Sequence, residues 1–209
     1  MTGPSFAFLI FDLDGVLLDF HPERRLARLA TMTGLAPAFL QAAIWDADFE
    51  RAAEAGAWPT GAAYLAEFNA RIGMTVSREQ WIAARREAMT PRAAVIGYLR
   101  RLKERVPLAL LTNNGALLLE ALPQLCGDVT DLFGDRLHAS FQFGARKPDP
   151  AVYQRLLARH GVPPSAALMV DDDARNVAGA VAAGLAGYRY EGLDALAAFL
   201  EPRLPPRQG

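Results

Sequence analysis

The chain reads as an α/β protein: a Rossmann-like parallel sheet with helices on both faces, carrying a small all-helical domain as an insert. Three observations lead there. Short apolar runs, Phe6–Phe11, Leu108–Leu111 and Ala167–Val170, each stop at a polar or charged group, as buried parallel strands do at a turn. From Pro91 onward such runs alternate with stretches of helical period. Between Pro22 and Met89 only the helical period is found. The expected division is residues 1–17 with 90–209 as the α/β core, and residues 18–89 as the helical insert.

Each element has its own signal. Phe6–Phe11 is the first strand. In the insert, Leu26, Leu29 and Ala30 make one apolar face, Phe39, Leu40, Ala43 and Ile44 a second, and Tyr64, Leu65 and Phe68 a third. Trp81, Ile82 and Arg85 make a fourth, opened by Ser77 and Gln80 at capping-box spacing. Thr33-Gly34, Gly56-Ala57-Trp58-Pro59 and Gly73-Met74 separate them. The core then reads as helix 93–105, strand 108–111, a helix from Gly115 to Leu122, a short strand 137–140 and helix 150–160. Strand 167–170, helix 176–183, strand 187–190 and helix 193–200 complete it. Met1–Pro4 and Pro202–Gly209 are rich in Pro and Gly and are expected to fray.

Composition narrows the partners. Twenty-two basic residues against 23 acidic ones give a net charge of −1, so no surplus favours nucleic acid or an anionic membrane. No apolar stretch approaches the roughly 18 residues of a membrane span, and Phe6–Phe11 lacks a basic leader. Cys126 is the single cysteine, so no intrachain disulfide forms, and a cytoplasmic location is expected. Monomer and homodimer fit equally.

The chemistry gathers where strands end, because ligands of open α/β sheets bind outside the carboxyl ends of the strands. Asp12 and Asp14 follow the first strand, with Gly15 able to turn the chain so that both face one pocket. Either they cap that turn, or one carboxylate attacks phosphorus while the other handles the leaving-group proton. Thr112 and Asn113 follow the second run, where a hydroxyl and an amide can hold phosphate oxygens or simply cap the next helix. Lys147 precedes Pro148-Asp149-Pro150 and either neutralises a carboxylate and a phosphate or is solvated; Asp149 reads as a helix cap and Arg146 as exposed. Asp171, Asp172 and Asp173 repel one another and call for a cation, with oxygen ligands suited to Mg²⁺. His21, His138 and His160 are dispersed, without ligand spacing, and Cys126 has no base beside it. Trp58, in a loop, is a candidate to face a substrate.

In this order the segments Phe11-Asp12-Leu13-Asp14-Gly15, Thr112-Asn113, Lys147-Pro148-Asp149-Pro150 and Asp171-Asp172 with Asn176 resemble the four motifs of the haloacid dehalogenase-like (HAD) hydrolase superfamily. The resemblance covers nearly the whole chain, and the insert is similar to that superfamily's helical cap. It implies that Asp12 is the nucleophile and a Mg²⁺ ligand. Asp14 would be the general acid/base and give the metal its backbone carbonyl. Thr112 and Asn113 would hold the phosphate, and Lys147 would stabilise the charged intermediate. Asp172 would bind the metal directly, with Asp171 as a direct or water-mediated partner. Dehalogenases of the group resemble Asp-x-Tyr-Gly at the first motif, so Asp14 favours phosphoryl chemistry. Asp171 stands where many members have Gly and Asn176 where many have an acid, a form similar to a subset of sugar-phosphate phosphatases. The implied activity is a Mg²⁺-dependent phosphatase acting on a small phosphorylated metabolite. A phosphomutase, a 2-haloacid dehalogenase and a non-catalytic binding protein are the alternatives.

Overall fold

In a computed structural model, residues 6–204 are described. Met1–Pro4 and the stretch after Leu204, both expected to fray, lie outside them. Pro202 and Arg203 instead belong to a 3-10 turn, and the Arg203 carbonyl accepts from the Phe6 amide at 3.3 Å.

Five parallel strands form the main sheet in the order β5-β4-β1-β6-β7. They are β1 (Phe8–Phe11), β4 (Leu108–Thr112), β5 (Leu137–Ala139), β6 (Ala167–Asp171) and β7 (Ala186–Arg189). β1 lies centrally, with Phe11 opposite Leu110 on one side and Val170 on the other. Every residue of β1, β4 and β6 is buried, as expected of strands covered on both faces. Alternation splits their side chains into two cores. Leu9, Phe11, Leu110, Leu168 and Val170 pack with Leu99, Leu118 and Leu196 on one face. Phe8, Ile10, Ala109, Leu111 and Met169 pack with Val152, Tyr153, Leu156 and Leu157 on the other. Each fully buried Leu or Ile contributes about 1.5–3 kcal/mol, so the doubly covered sheet is the rigid base of the molecule.

The covering helices are α6 (Ala93–Leu102), α7 (Ala116–Leu125), α8 (Gly127–Phe133), α9 (Pro150–His160), α10 (Ala174–Ala182) and α11 (Leu193–Leu200). Helix α10 starts two residues earlier than its apolar pattern, because the Asp173 side chain caps it by accepting from the Arg175 amide. Helix α7 runs through Pro123 rather than stopping at Leu122, and α8 was not foreseen. Cys126, with non-helical backbone at φ −153° and ψ 77°, breaks the two helices apart.

The insert holds α1 (Pro22–Thr33), α2 (Pro37–Gln41), a π turn (Ala42–Asp46), α3 (Phe49–Glu54), α4 (Gly61–Ile72) and α5 (Arg78–Glu87). The Ser77–Gln80 capping box opens α5 as read from sequence. One feature departs from the all-helical reading. Strands β2 (Leu18–Phe20) and β3 (Met89–Pro91) pair antiparallel at the two ends of this helical stretch. Three-residue strands carry no periodicity, so only their pairing makes them visible.

Candidate active site

The carboxyl ends of β1, β4 and β6 lie side by side, and the site is built on them. Asp12 follows β1 directly; its Oδ1 takes the Leu13 amide at 2.7 Å. Thr112 and Asp171 are the last residues of β4 and β6, and both are buried. Beyond Asp12 the chain folds back on itself. The Leu17 and Leu18 amides both donate to the Leu13 carbonyl, and the Gly15 amide donates to the Leu18 carbonyl at 2.7 Å. The buried side chains of Val16, Leu17 and Leu18 hold this loop on the core, which is why a carboxylate-rich segment runs straight into an apolar one. Gly15 has φ of 84°, and a Cβ there would lie 2.2 Å from Asp172 Oδ2. Only glycine lets the loop approach Asp172 so closely.

Lys147 is a buried lysine, 1% exposed. Its Nζ lies 2.8 Å from Asp12 Oδ1 and 2.6 Å from Asp171 Oδ2. The backbone of Lys147 is clamped by Asn113, whose Oδ1 accepts from the Lys147 amide at 2.8 Å and whose Nδ2 donates to its carbonyl at 2.9 Å. The side chain of Asn113 is therefore committed to holding Lys147. Thr112 Oγ1 accepts from Asn114 Nδ2 at 2.8 Å, which leaves its hydroxyl proton to give elsewhere. Asp171 is held by donors from three different residues. It accepts from Lys147, from Asn176 Nδ2 at 3.1 and 3.2 Å, and from the Asp173 amide at 2.9 Å. Asn176 is fixed in turn by α9, since Tyr153 donates its hydroxyl to the Asn176 carbonyl at 2.7 Å. Asp173 serves α10 as its cap and pairs with Arg175.

One oxygen each from Asp12, Asp171 and Asp172 lie within 4.8 Å of one another. Two of them, Asp12 and Asp171, share the Lys147 ammonium, and the third, Asp172, stands beside them with its side chain exposed. Burial, and then repulsion from Asp171, push the Asp12 carboxyl up to about 8 against the pull of Lys147. Burial and Asp171 likewise raise Asp172. Although burial opposes its charge, Asp12 and Asp171 hold the Lys147 ammonium above its ordinary value. The cluster lacks positive charge, and its hard oxygen donors at this spacing fit a small divalent cation. Asp14 and Asp172 open onto a common cleft of about 270 Å³, lined also by Gly15, Phe20, His21 and Arg92.

All seven residues picked from sequence, Asp12, Asp14, Thr112, Asn113, Lys147, Asp171 and Asp172, lie on this edge of the sheet. Others were missed. Arg85 of α5 reaches Asp14 Oδ2 at 2.7 Å. Its signal was an arginine on the apolar stripe Trp81–Ile82–Arg85. Arg92 ties the loop shut, donating to the Gly15 carbonyl at 2.5 Å and to Asp19 Oδ1 at 2.7 Å. Arg146 is not exposed as expected: it is half-buried and pairs with Glu54 of α3 at 2.5 Å. His138 and His160, far apart in sequence, meet with their Nε2 atoms 2.8 Å apart. Trp58 is half-buried and packs on Phe49 with ring centroids 4.9 Å apart.

With this arrangement in place, comparison identifies the class. The haloacid dehalogenase-like hydrolase family matches residues 7–184, and the chain belongs to it. It is similar to phosphatase MT3486 of Mycobacterium tuberculosis (strain CDC 1551 / Oshkosh), with 28% identity over 192 residues covering 88% of this chain and 87% of that protein. Among solved structures, a HAD-like family hydrolase from Porphyromonas gingivalis superposes with a TM-score of 0.79 at 23% identity, covering 94% of this chain and 98% of the other. HAD family enzyme bt-2542 from Bacteroides thetaiotaomicron, in complex with magnesium and inorganic phosphate, gives 0.70 at 20% identity over 88% and 94% of the two chains. These likenesses establish the α/β fold read from the sequence. Among the described residues no helix is long and apolar enough to cross a membrane.

Proposed function

We propose that this protein is a Mg²⁺-dependent phosphatase that hydrolyses a small phosphorylated metabolite, with sugar phosphates as the leading class, through an aspartyl-phosphate on Asp12. The observation that carries this reading is the convergence of the buried Asp12 and Asp171 on Lys147, with the exposed Asp172 carboxylate beside them, at the carboxyl edge of the sheet. Three acids against one base is a poor arrangement for stability and a suitable one for a cation and a phosphate. The curated relative named as a phosphatase points the same way.

In this mechanism an Asp12 carboxylate oxygen attacks phosphorus. The bond from Asp12 to phosphorus forms as the bond to the leaving oxygen breaks, and Asp14 gives that oxygen its proton. Asp14, now a carboxylate, takes a proton from water. The water oxygen attacks phosphorus, the Asp12–phosphorus bond breaks, and inorganic phosphate leaves. Lys147, fixed by Asp171 and by the Asn113 clamp, keeps Asp12 oriented and offsets developing charge. The Thr112 hydroxyl and the backbone N–H of Asn113 hold phosphate oxygens. Mg²⁺ would be held by Asp12, Asp172 and the Asp14 carbonyl, and its charge would offset the repulsion between Asp12 and a dianionic phosphate. Asp171, whose oxygens already take bonds from Lys147, Asn176 and Asp173, would face it through water. Residues 18–89 act as a cap that closes over the site and selects the substrate.

Phosphate release from a panel of metabolite esters and a generic aryl phosphate, with Mg²⁺ and with chelator, tests this. Release that requires Mg²⁺ is the expected result. A folded protein silent on the whole panel would remove the reading.

A further inference from the structure

Arg85 belongs to the insert, yet it is buried and reaches into the core to one candidate catalytic side chain. Its Nη2 donates to Asp14 Oδ2 at 2.7 Å. The guanidinium lies over the Phe20 ring, 4.0 Å from the centroid, so it cannot swing freely. Two further bonds anchor the same helix to α7: Arg86 donates to the Gln124 carbonyl at 3.0 Å and Arg78 to the Glu120 carbonyl at 3.3 Å. Helix α7 begins just after the Thr112–Asn113 segment. Helix α5 therefore spans from the acid/base to the helix behind the phosphate-holding segment.

The grip on Asp14 has one point, not two. A guanidinium facing a carboxylate often forms a two-pronged fork. Here Asp14 Oδ1 and Arg85 Nε are both shielded from solvent, and neither has a hydrogen-bond partner in the protein. Leaving a shielded carboxylate oxygen without a donor is unfavourable, so this atom is open to a new partner. It is the oxygen left to carry the proton given to the leaving group and to accept one from the attacking water.

We infer that Arg85 is a positioning residue for the reaction: it pins Asp14 through Oδ2 and leaves Oδ1 to exchange a proton with the leaving oxygen and then with water. Because Arg85 rides on α5, Asp14 is pinned only while the insert sits on the core. Seating of the insert and proton transfer are thereby one event. The inference rests on the phosphatase reading above.

The test compares kcat/KM for two aryl esters, 4-nitrophenyl phosphate and phenyl phosphate, in wild type, R85Q and R85K with Mg²⁺. Nitrophenolate leaves without help, whereas phenolate needs its proton. R85Q is expected to lose about 10-fold more on the phenyl ester than on the nitrophenyl ester, a part of the typical contribution of a placed general acid. R85K, which keeps a charge able to reach Oδ2, should recover part of that difference. Should R85Q fail to fold by circular dichroism, R85K alone carries the comparison and should show a smaller loss of the same selectivity. Equal losses on both esters, or no recovery of selectivity in R85K, would make Arg85 a packing residue and overturn the inference. A wild type silent on both esters would remove the phosphatase reading and the inference together, whereas an active wild type with equally impaired variants would remove the inference alone.

Discussion

At the carboxyl edge of the sheet Asp12 and Asp171 share one ammonium, Lys147, with the Asp172 carboxylate close by, whereas in the insert Arg25 meets Glu50 at 3.0 Å with Tyr64 closing the triangle. Asp12, Asp171 and Lys147 are buried at the sheet edge, and Arg25 and Tyr64 are buried in the insert. In the insert each charge has its opposite, and Arg25 lies between the Trp45 and Trp81 rings, 5.2 and 5.0 Å from their centroids. Such a group can be explained by packing alone. At the sheet edge the charge does not balance, and packing gives no reason for the excess. Buried charge that is balanced reads as structure, and buried charge that is not balanced reads as a site awaiting its ligands.

The largest effect that could break this contrast is at Asp12. Asp12→Asn should reduce phosphate release by at least about 10⁴-fold, because the nucleophile is lost. The same change should raise the melting temperature of the metal-free protein by roughly 3 °C, since one crowded carboxylate is gone. A drop in both activity and stability would contradict the claim of excess charge. Next is Lys147→Ala, which leaves two carboxylates buried without their base. It should cost about 3–5 kcal/mol in denaturant unfolding, in addition to turnover. In the insert, Arg25→Met should cost about 2 kcal/mol by stranding Glu50, and addition of Mg²⁺ should not offset any of it. Mg²⁺-dependent recovery there would blur the distinction between the two regions.

The smallest effect is one of pH. Burial, with the neighbouring His160, lowers His138 to about 4 from an ordinary value near 6.5. The unfolded chain therefore binds the extra proton first as pH falls. The stability that His138 contributes is present above pH 6.5 and lost as pH falls toward 4, with a slope of at most about 1.4 kcal/mol per pH unit. His138→Phe should flatten the melting temperature across that window, and an unchanged acid limb would argue against the pair.

The parts of the molecule that were legible in sequence share a physical cause. Strands β1, β4 and β6 are continuous apolar runs because both faces of the sheet are covered, and each announces its carboxyl end with a polar residue. Asp12, Thr112 and Asp171 could be picked because each breaks an apolar run abruptly, and Lys147 because Pro148 and Pro150 fix the backbone beside it. The misses were pairings. Nothing in Arg85, Arg92 or Arg146 separately tells that they face Asp14, Asp19 and Glu54, since the partners lie 71, 73 and 92 residues away. Strands β2 and β3 were hidden for the same reason, as were His138 and His160. Asn113 was read for its amide, but its side chain had a task that only the fold could assign, the clamp on Lys147.

The most direct test of the central claim traps the phosphoryl group. Asp14→Asn, given 4-nitrophenyl phosphate and Mg²⁺, can form the intermediate without a proton donor but lacks the base to break it down. After acid quenching and digestion, mass spectrometry is expected to find one phosphoryl group on the peptide that bears Asp12. Release of nitrophenol with that peptide unmodified, or with the phosphoryl group on another residue, would contradict the account.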